Sequence, residues 1–194
     1  MEGSAAESDD AVVVELVRCA RQGDAKAFTA LIAKTERLVL AVALAVSGDG
    51  QIAGDLAQEA FLRAWQKLGD LQDPARFAGW ICGIVRRLAI DFRRRQRPPI
   101  EQTRRRLPQA PDAPLQQREQ RQQIAAALEQ LDEVSRCVVM LRYYDDLSSR
   151  QIGQMLDLSA AAVDMRLSRA KRELRQTLSF LSQDWLGSEM PREE

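Results

Sequence analysis

Hydrophobic residues recur along much of this chain at the three-and-four spacing of amphipathic helices. In the first half, helical patterns cover residues 11–19, 24–46, 52–68 and 74–95, punctuated by Gly23, by the Ser47-Gly48-Asp49-Gly50 turn and by the 69–73 stretch. Along the third pattern, Leu56, Ala60, Phe61, Ala64, Trp65 and Leu68 form one apolar stripe, which leaves Asp55, Gln58, Glu59, Leu62 and Gln66 on the other side. The fourth repeats the arrangement, with Phe77, Ile81, Ile84, Leu88 and Phe92 facing inward.

A second helical unit begins near residue 117 with Ile124, Leu128 and Leu131 and continues through residues 138–144. Ser148 with Gln151 forms a capping-box pattern that starts a helix reaching Leu156, and Ser159 can cap the one that follows. The Asp157-Leu158-Ser159 turn between them makes the ending a helix, a three-residue turn and a helix. Val163, Leu167, Ala170 and Leu174 mark the inner face of the last helix, and Ala160, Ala161, Asp164, Met165, Ser168, Arg169 and Arg172 lie outward or to the side. Five of the seven prolines fall within residues 98–114, among Arg and Gln and without apolar periodicity, which marks an extended linker. The expected organisation is all-α. An N-terminal tail and first helix (1–19) precede a helical domain (20–95), a flexible linker (96–116), a helix-turn-helix domain (117–181) and a C-terminal tail (182–194).

Composition supports this reading. At 194 residues with 45% hydrophobic content, the chain can fill one ordinary core or two small ones. Only 5% of residues are aromatic, and the abundance of Ala, Leu, Gln, Arg and Glu favours helix over strand. The 28 basic and 28 acidic residues balance, but their distribution does not. Residues 1–75 are acidic, whereas residues 76–106 hold ten Arg against Asp91 and Glu101 alone. A second basic cluster is Arg166, Arg169, Lys171, Arg172 and Arg175. Such patches attract polyanions.

Several functions are excluded or disfavoured. There is no histidine, which removes catalytic triads and dyads that need an imidazole base and the common His-containing zinc sites. Cys19, Cys82 and Cys137 are isolated and odd in number, unlike a metal clip or a disulfide framework, and read as reduced, partly buried thiols of a cytoplasmic protein. Glu2, Glu7, Asp9 and Asp10 stand where a secretory signal needs positive charge. The longest apolar run, residues 38–46, is nine residues, about half of the ~20 a membrane span requires. No catalytic residue, metal, cofactor or membrane partner is expected.

A helix-turn-helix sets its second helix in the DNA major groove, with one apolar face for the domain and one polar face for the duplex. Spacing alone leaves a solvated amphipathic helix of a bundle equally open. The Arg-rich stretch after residue 86 also reads as a helix end favoured by the dipole. Joined across a spacer, the two features suggest two DNA contacts on one protein.

Longer motifs add a family. Asp55-Leu-Ala-Gln-Glu-Ala-Phe-Leu-Arg-Ala-Trp65 resembles the region 2 core-binding signature of extracytoplasmic-function (ECF) RNA polymerase sigma factors. Phe77-Ala-Gly-Trp80, Ile84 and Asp91-Phe-Arg-Arg-Arg95 resemble the next helix of that family. Residues 131–136, Leu141-Arg-Tyr143, Leu147-Ser148 and Ile152 resemble the start of region 4, and Val163 with Arg166-Leu-Ser-Arg-Ala-Lys171 resembles its recognition helix. The resemblance covers about residues 20–95 and 117–178 in the right order.

Membership implies a sigma factor that binds core RNA polymerase and directs promoter recognition, minus-10 melting and transcription initiation, with an anti-sigma factor as a further candidate partner. Carried over by position, Asp55, Gln58, Glu59 and Leu62 would face the polymerase clamp. Loop 69–76 would capture a flipped minus-10 base, and Arg76, Trp80, Arg86, Arg87, Arg93 and Arg94 would follow the minus-10 strand. Ala161, Asp164, Met165, Arg166, Ser168, Arg169 and Arg172 would meet the minus-35 element. The chain departs from the family at Arg87, where Asn is usual, and at Asp164 and Met165, where a basic and a small polar residue are common. Asp164 is read either as an acceptor for cytosine N4 or as a position swung away from the duplex, with base reading the favoured of the two. The rivals are a conventional helix-turn-helix regulator without a polymerase role and a protein-binding helical adaptor. The Asp55–Trp65 motif argues against the first, and the two basic clusters argue against the second.

Overall fold

The computed structural model of the chain describes residues 3–95, 115–144 and 147–178. Among them all regular structure is helical. The first unit comprises α1 (Gly3–Arg21), α2 (Ala25–Ser47), α3 (Gly50–Gln66) and α4 (Phe77–Arg95). The second comprises α5 (Leu115–Gln130), α6 (Glu133–Tyr144), α7 (Ser149–Leu156) and α8 (Ala160–Thr177). Most of the expected linker and the C-terminal tail lie outside the described residues.

Local chemistry explains the boundaries. Asp24 accepts from the amides of Lys26 and Ala27 and starts α2, and Asp49 does the same for α3 through Gln51 and Ile52. Gly48 closes α2 at φ 73°, a left-handed conformation in which glycine carries no Cβ penalty. The capping box of Ser148 and Gln151 forms as the sequence predicts, and Ser159 accepts from the Ala162 amide at 3.1 Å. One boundary differs. The apolar pattern places the start of the first helix at Ala11, but α1 begins at Gly3. Residues 4–10 hold Ala, Glu, Ser and Asp without Pro or Gly, so a helix nucleated downstream can propagate back through them without an apolar face.

The core is built around α2, where residues 38–46 supply Leu38, Val39, Ala41, Val42, Ala43, Ala45 and Val46, all buried. α1, α3 and α4 pack against it from within the first unit, with Val17, Ala60, Ile81 and Val85 fully or almost fully buried. A helix buried on this many sides needs further cover, and α6 of the second unit provides it. α4 also meets α7, where a Cβ placed on Gly79 would lie 3.3 Å from the Gln154 carbonyl oxygen. The two units therefore share one continuous core, which the linker composition alone does not predict.

The inward stripes are largely as read. Leu56, Ala60, Ala64, Leu68, Phe77, Ile81 and Leu88 are buried, and Phe61, Ile84 and Phe92 are half-buried against the core. Trp65 is the exception. It is 38% exposed and packs edge-on against Phe28, with ring centroids 4.9 Å apart. Cys82 and Cys137 are buried and Cys19 half-buried, and burial pushes the Cys137 thiol up to about 12, which keeps it protonated and unreactive.

The turn between α7 and α8 depends on Gly153. The Leu158 amide returns to the Gly153 carbonyl at 2.8 Å while Asp157 adopts φ 58°, and a Cβ on Gly153 would run into the Leu158 carbonyl oxygen. Gly153→Ala is expected to destabilise the protein by about 1–3 kcal/mol in thermal or denaturant unfolding. Gly83→Ala, at an exposed position of α4 with open space around it, should instead stabilise by roughly 0.5–1 kcal/mol. Equal effects from the two would show that the Gly153 approach is not required.

Candidate functional site

Three surfaces gather the residues singled out by the sequence. On α3, Asp55 and Gln58 are exposed, Glu59 is half-buried, and Leu62 is 60% exposed. Their spacing places them on one outward face opposite Leu56, Ala60 and Ala64. Arg63 donates to Glu59 at 2.7 Å and holds that carboxylate upright on the face.

On α4 the expected strand-tracking residues divide into two stripes. Trp80, Arg87 and Arg94 follow one another at seven-residue spacing, close to two helical turns, with Trp80 tilted against Phe77 at 6.1 Å between centroids. Arg94 pairs with Asp91 at 3.2 Å. Arg86 and Arg93 form the other stripe, about 100° round the helix. Arg86 turns toward the second unit, where its guanidinium meets Glu133 of α6 at 2.9 Å. This ion pair engages Nε and Nη2 of Arg86 and so competes with a nucleic-acid strand for its guanidinium.

Between α3 and α4, buried Leu68 and Leu71 anchor a loop that exposes Arg76. Arg21 of α1 donates to the carbonyls of Leu68 and Leu71, and Asp73 accepts from the Ala75 amide at 3.0 Å. Beside the loop lies a cleft of about 380 Å³ lined by Ala20, Arg21, Gly23, Trp65, Gln66, Leu68 and Gly69. Neither Arg21 nor the cleft was apparent from sequence. Arg21 carries no local signal, because its partners lie 47 and 50 residues away.

On α8, Val163, Leu167 and Ala170 are buried and Leu174 is half-buried, as read. The charged residues next to this face are engaged within the domain. Asp164 accepts a hydrogen bond from the Ser149 hydroxyl at the start of α7, where the helix dipole also favours a carboxylate. Arg166 reaches across to α6, 3.3 Å from Asp132 and 3.4 Å from the Ser135 hydroxyl. Asp132 in turn accepts from the Ser135 amide at 3.0 Å as α6 begins. Asp132, Ser135 and Ser149 were not singled out from sequence, although Asp132 directly before a helical run is a recognisable N-cap candidate. Ala161, Met165, Ser168, Arg169 and Arg172 remain on the exposed side. Lys171 sits 6.0 Å over the Tyr143 ring.

A helical bundle followed by a helix-turn-helix, with an Arg-bearing outer face on each, is the architecture of a two-part DNA-binding transcription protein. Comparison with known proteins is more specific. The chain matches the Sigma-70 region 2 family over residues 31–98 and the Sigma-70, region 4 family over residues 121–174. It is 36% identical over 154 residues to the ECF RNA polymerase sigma factor SigL of Mycobacterium tuberculosis, covering 72% of this chain and 81% of that protein. It is 37% identical over 182 residues to the probable RNA polymerase sigma factor RfaY of Xanthomonas campestris pv. campestris, covering 89% of this chain but only 46% of that longer protein. The chain thus spans about half the length of RfaY. Its fold is similar to CnrH in complex with the cytosolic domain of CnrY, at TM-score 0.67 and 28% identity, covering 88% of this chain and 99% of that one. The chain belongs to the ECF RNA polymerase sigma factor family, a family of transcription initiation factors. Among the described residues, no helix is long and apolar enough to cross a membrane.

Asp132 links the start of α6 to α8 and gives this contact a pH dependence. Burial raises its carboxyl pKa, but hydrogen bonds from Ser135 and the nearby Arg166 outweigh this and hold it below the ordinary 3.8. A carboxylate depressed in the folded state stabilises above its unfolded pKa, and that contribution is lost as pH falls through the folded value. Melting curves between pH 7 and pH 3 should show wild type losing up to about 1 kcal/mol below pH 4 from this group, a loss missing in Asp132→Asn. An identical acid slope in the variant would remove Asp132 from the account.

Proposed function

We propose that this chain binds core RNA polymerase through the outer face of α3 and directs it to a promoter, using α4 with loop 69–76 at the minus-10 element and α8 at the minus-35 element. The observation that supports this best is the pairing of two open faces with one closed core. Most apolar residues of both units are consumed in a common interior, while the polar face of α3 and the outward face of α8 are left uncovered. On α3, exposed Leu62 gives a partner an apolar centre, and Asp55, Gln58 and Glu59 give it a polar rim.

The three DNA-facing parts differ in chemistry. Trp80, Arg87 and Arg94 offer a strand one aromatic edge and two cations at successive double turns. The cleft beside loop 69–76 has room and an aromatic wall, Trp65, for a base drawn out of the stack. Arg169 and Arg172 of α8 meet phosphates, as Lys and Arg do in any major-groove docking. No side chain of this set catalyses a reaction, and RNA synthesis belongs to the polymerase. The protein acts in the cytoplasm, where its polymerase is. An anti-sigma protein is a further partner, supported by the likeness to CnrH, whose structure is of a complex with the cytosolic domain of CnrY.

The closed arrangement of the two units bears on DNA access, because Glu133 holds an arginine of the minus-10 face. Glu133→Ala should raise affinity for a single-stranded minus-10 oligonucleotide by up to about fivefold, the most that a half-exposed ion pair accounts for. Unchanged affinity would mean that Arg86 does not touch the strand.

The docking face is tested separately. The Gln58→Ala, Glu59→Lys double variant should fold with an unchanged melting temperature yet lose about tenfold or more of its affinity for core polymerase, since it reverses a charge and truncates a polar group on the rim of the contact. Promoter-specific initiation in vitro with purified core enzyme should fall in parallel. Undiminished binding by the folded variant would place the docking surface elsewhere.

A further inference from the structure

The outward face of α8 contains one residue that neither packing nor charge explains. At about 100° per residue, the direction opposite to Val163, Leu167, Ala170 and Leu174 passes through Ala161, Met165 and Arg172, with Ser168 and Arg169 on either side. Met165 is 65% exposed, more than any other large hydrophobic residue among the described ones. It is the sixth residue of α8, in the half of a recognition helix that reaches base edges. Its two charged neighbours are turned away from this line, Asp164 to Ser149 and Arg166 to Asp132 and Ser135. An apolar side chain is thus held at the centre of a basic face, flanked by residues that tie the helix to the rest of its domain.

In the major groove only one base offers an apolar group, the C5-methyl of thymine. A thioether on an unbranched, three-torsion side chain can reach such a methyl and shed water with it. Arg169 and Arg172, on the same face, fit the phosphates that flank such a base. We propose that Met165 is a specificity-determining residue of this protein, reading the methyl group of a thymine in the minus-35 element. This rests on the reading of α8 as a major-groove helix. It places base reading at Met165 beside Asp164, whose Oδ1 accepts from Ser149.

The test separates the methyl from the rest of the base. Holoenzyme assembled from the full chain and core polymerase is used to select a preferred sequence from duplexes randomised at minus-35. Each thymine of that sequence is then replaced in turn by deoxyuridine, which keeps every hydrogen-bonding group and lacks only the methyl. Wild type should lose about three- to fivefold in affinity at one position, the worth of one buried methyl group. Met165→Ala should bind the thymine and deoxyuridine duplexes equally. Arg169→Ala should weaken both by the same factor and keep their ratio. No sensitivity to deoxyuridine at any position, or a sensitivity that survives Met165→Ala, overturns the methyl contact while leaving promoter reading intact. A selection that returns no preferred sequence overturns both.

Discussion

The nine-residue apolar run at 38–46 cannot face water on any side, and most of the fold follows from covering it. Burying each Leu or Val side chain contributes about 1.5–3 kcal/mol, and α2 carries a continuous series of them. Three helices of its own unit cover part of its circumference. The remaining part is met by α6, whose Val138 and Leu141 are fully buried. The second unit is thereby docked on the first by the same apolar demand that holds the first together.

That docking has electrostatic consequences on α4, which serves both the core and the expected DNA surface. Its inner face is consumed by Phe77, Ile81, Val85 and Leu88, so its arginines must leave along the two flanks. One flank carries exposed Arg87 and Arg94 beside half-buried Trp80. The other meets α6 and α7, where Gly79 permits a close backbone approach and Glu133 pairs with Arg86. Because that ion pair is partly exposed, it biases the arrangement of the two units more than it locks it.

The helix-turn-helix shows the same economy on a smaller scale. Gly153 and the left-handed Asp157 bring α7 and α8 together, and Ser149 with Asp164 and Asp132 with Arg166 fix α8 from both sides. Charged residues that spacing assigns to the DNA face are in this way diverted to holding the angle of the helix that carries it. What remains outward is a short line of small, apolar and basic side chains.

Local rules made the helices legible in the sequence. The inward stripes of α3, α4 and α8 and the caps at Ser148 and Ser159 follow from 3.6-residue periodicity and from hydrogen bonds spanning only a few residues. The outward face of α3 was legible too, being the complement of its stripe. Trp65 lies on the apolar stripe but stays partly exposed, because periodicity gives a direction but not the depth of cover at a helix end, where it packs edge-on against Phe28. The pairings of Arg21, Arg86, Asp164 and Arg166 join residues 15 to 50 positions apart, and the docking of α6 on α2 joins segments still more distant in the chain. The sequence by itself determined which helices form and which side of each is apolar, because those properties arise within a few residues of chain. Which polar side chains stay available to a partner was decided only by tertiary packing, because it depends on what another helix places opposite them.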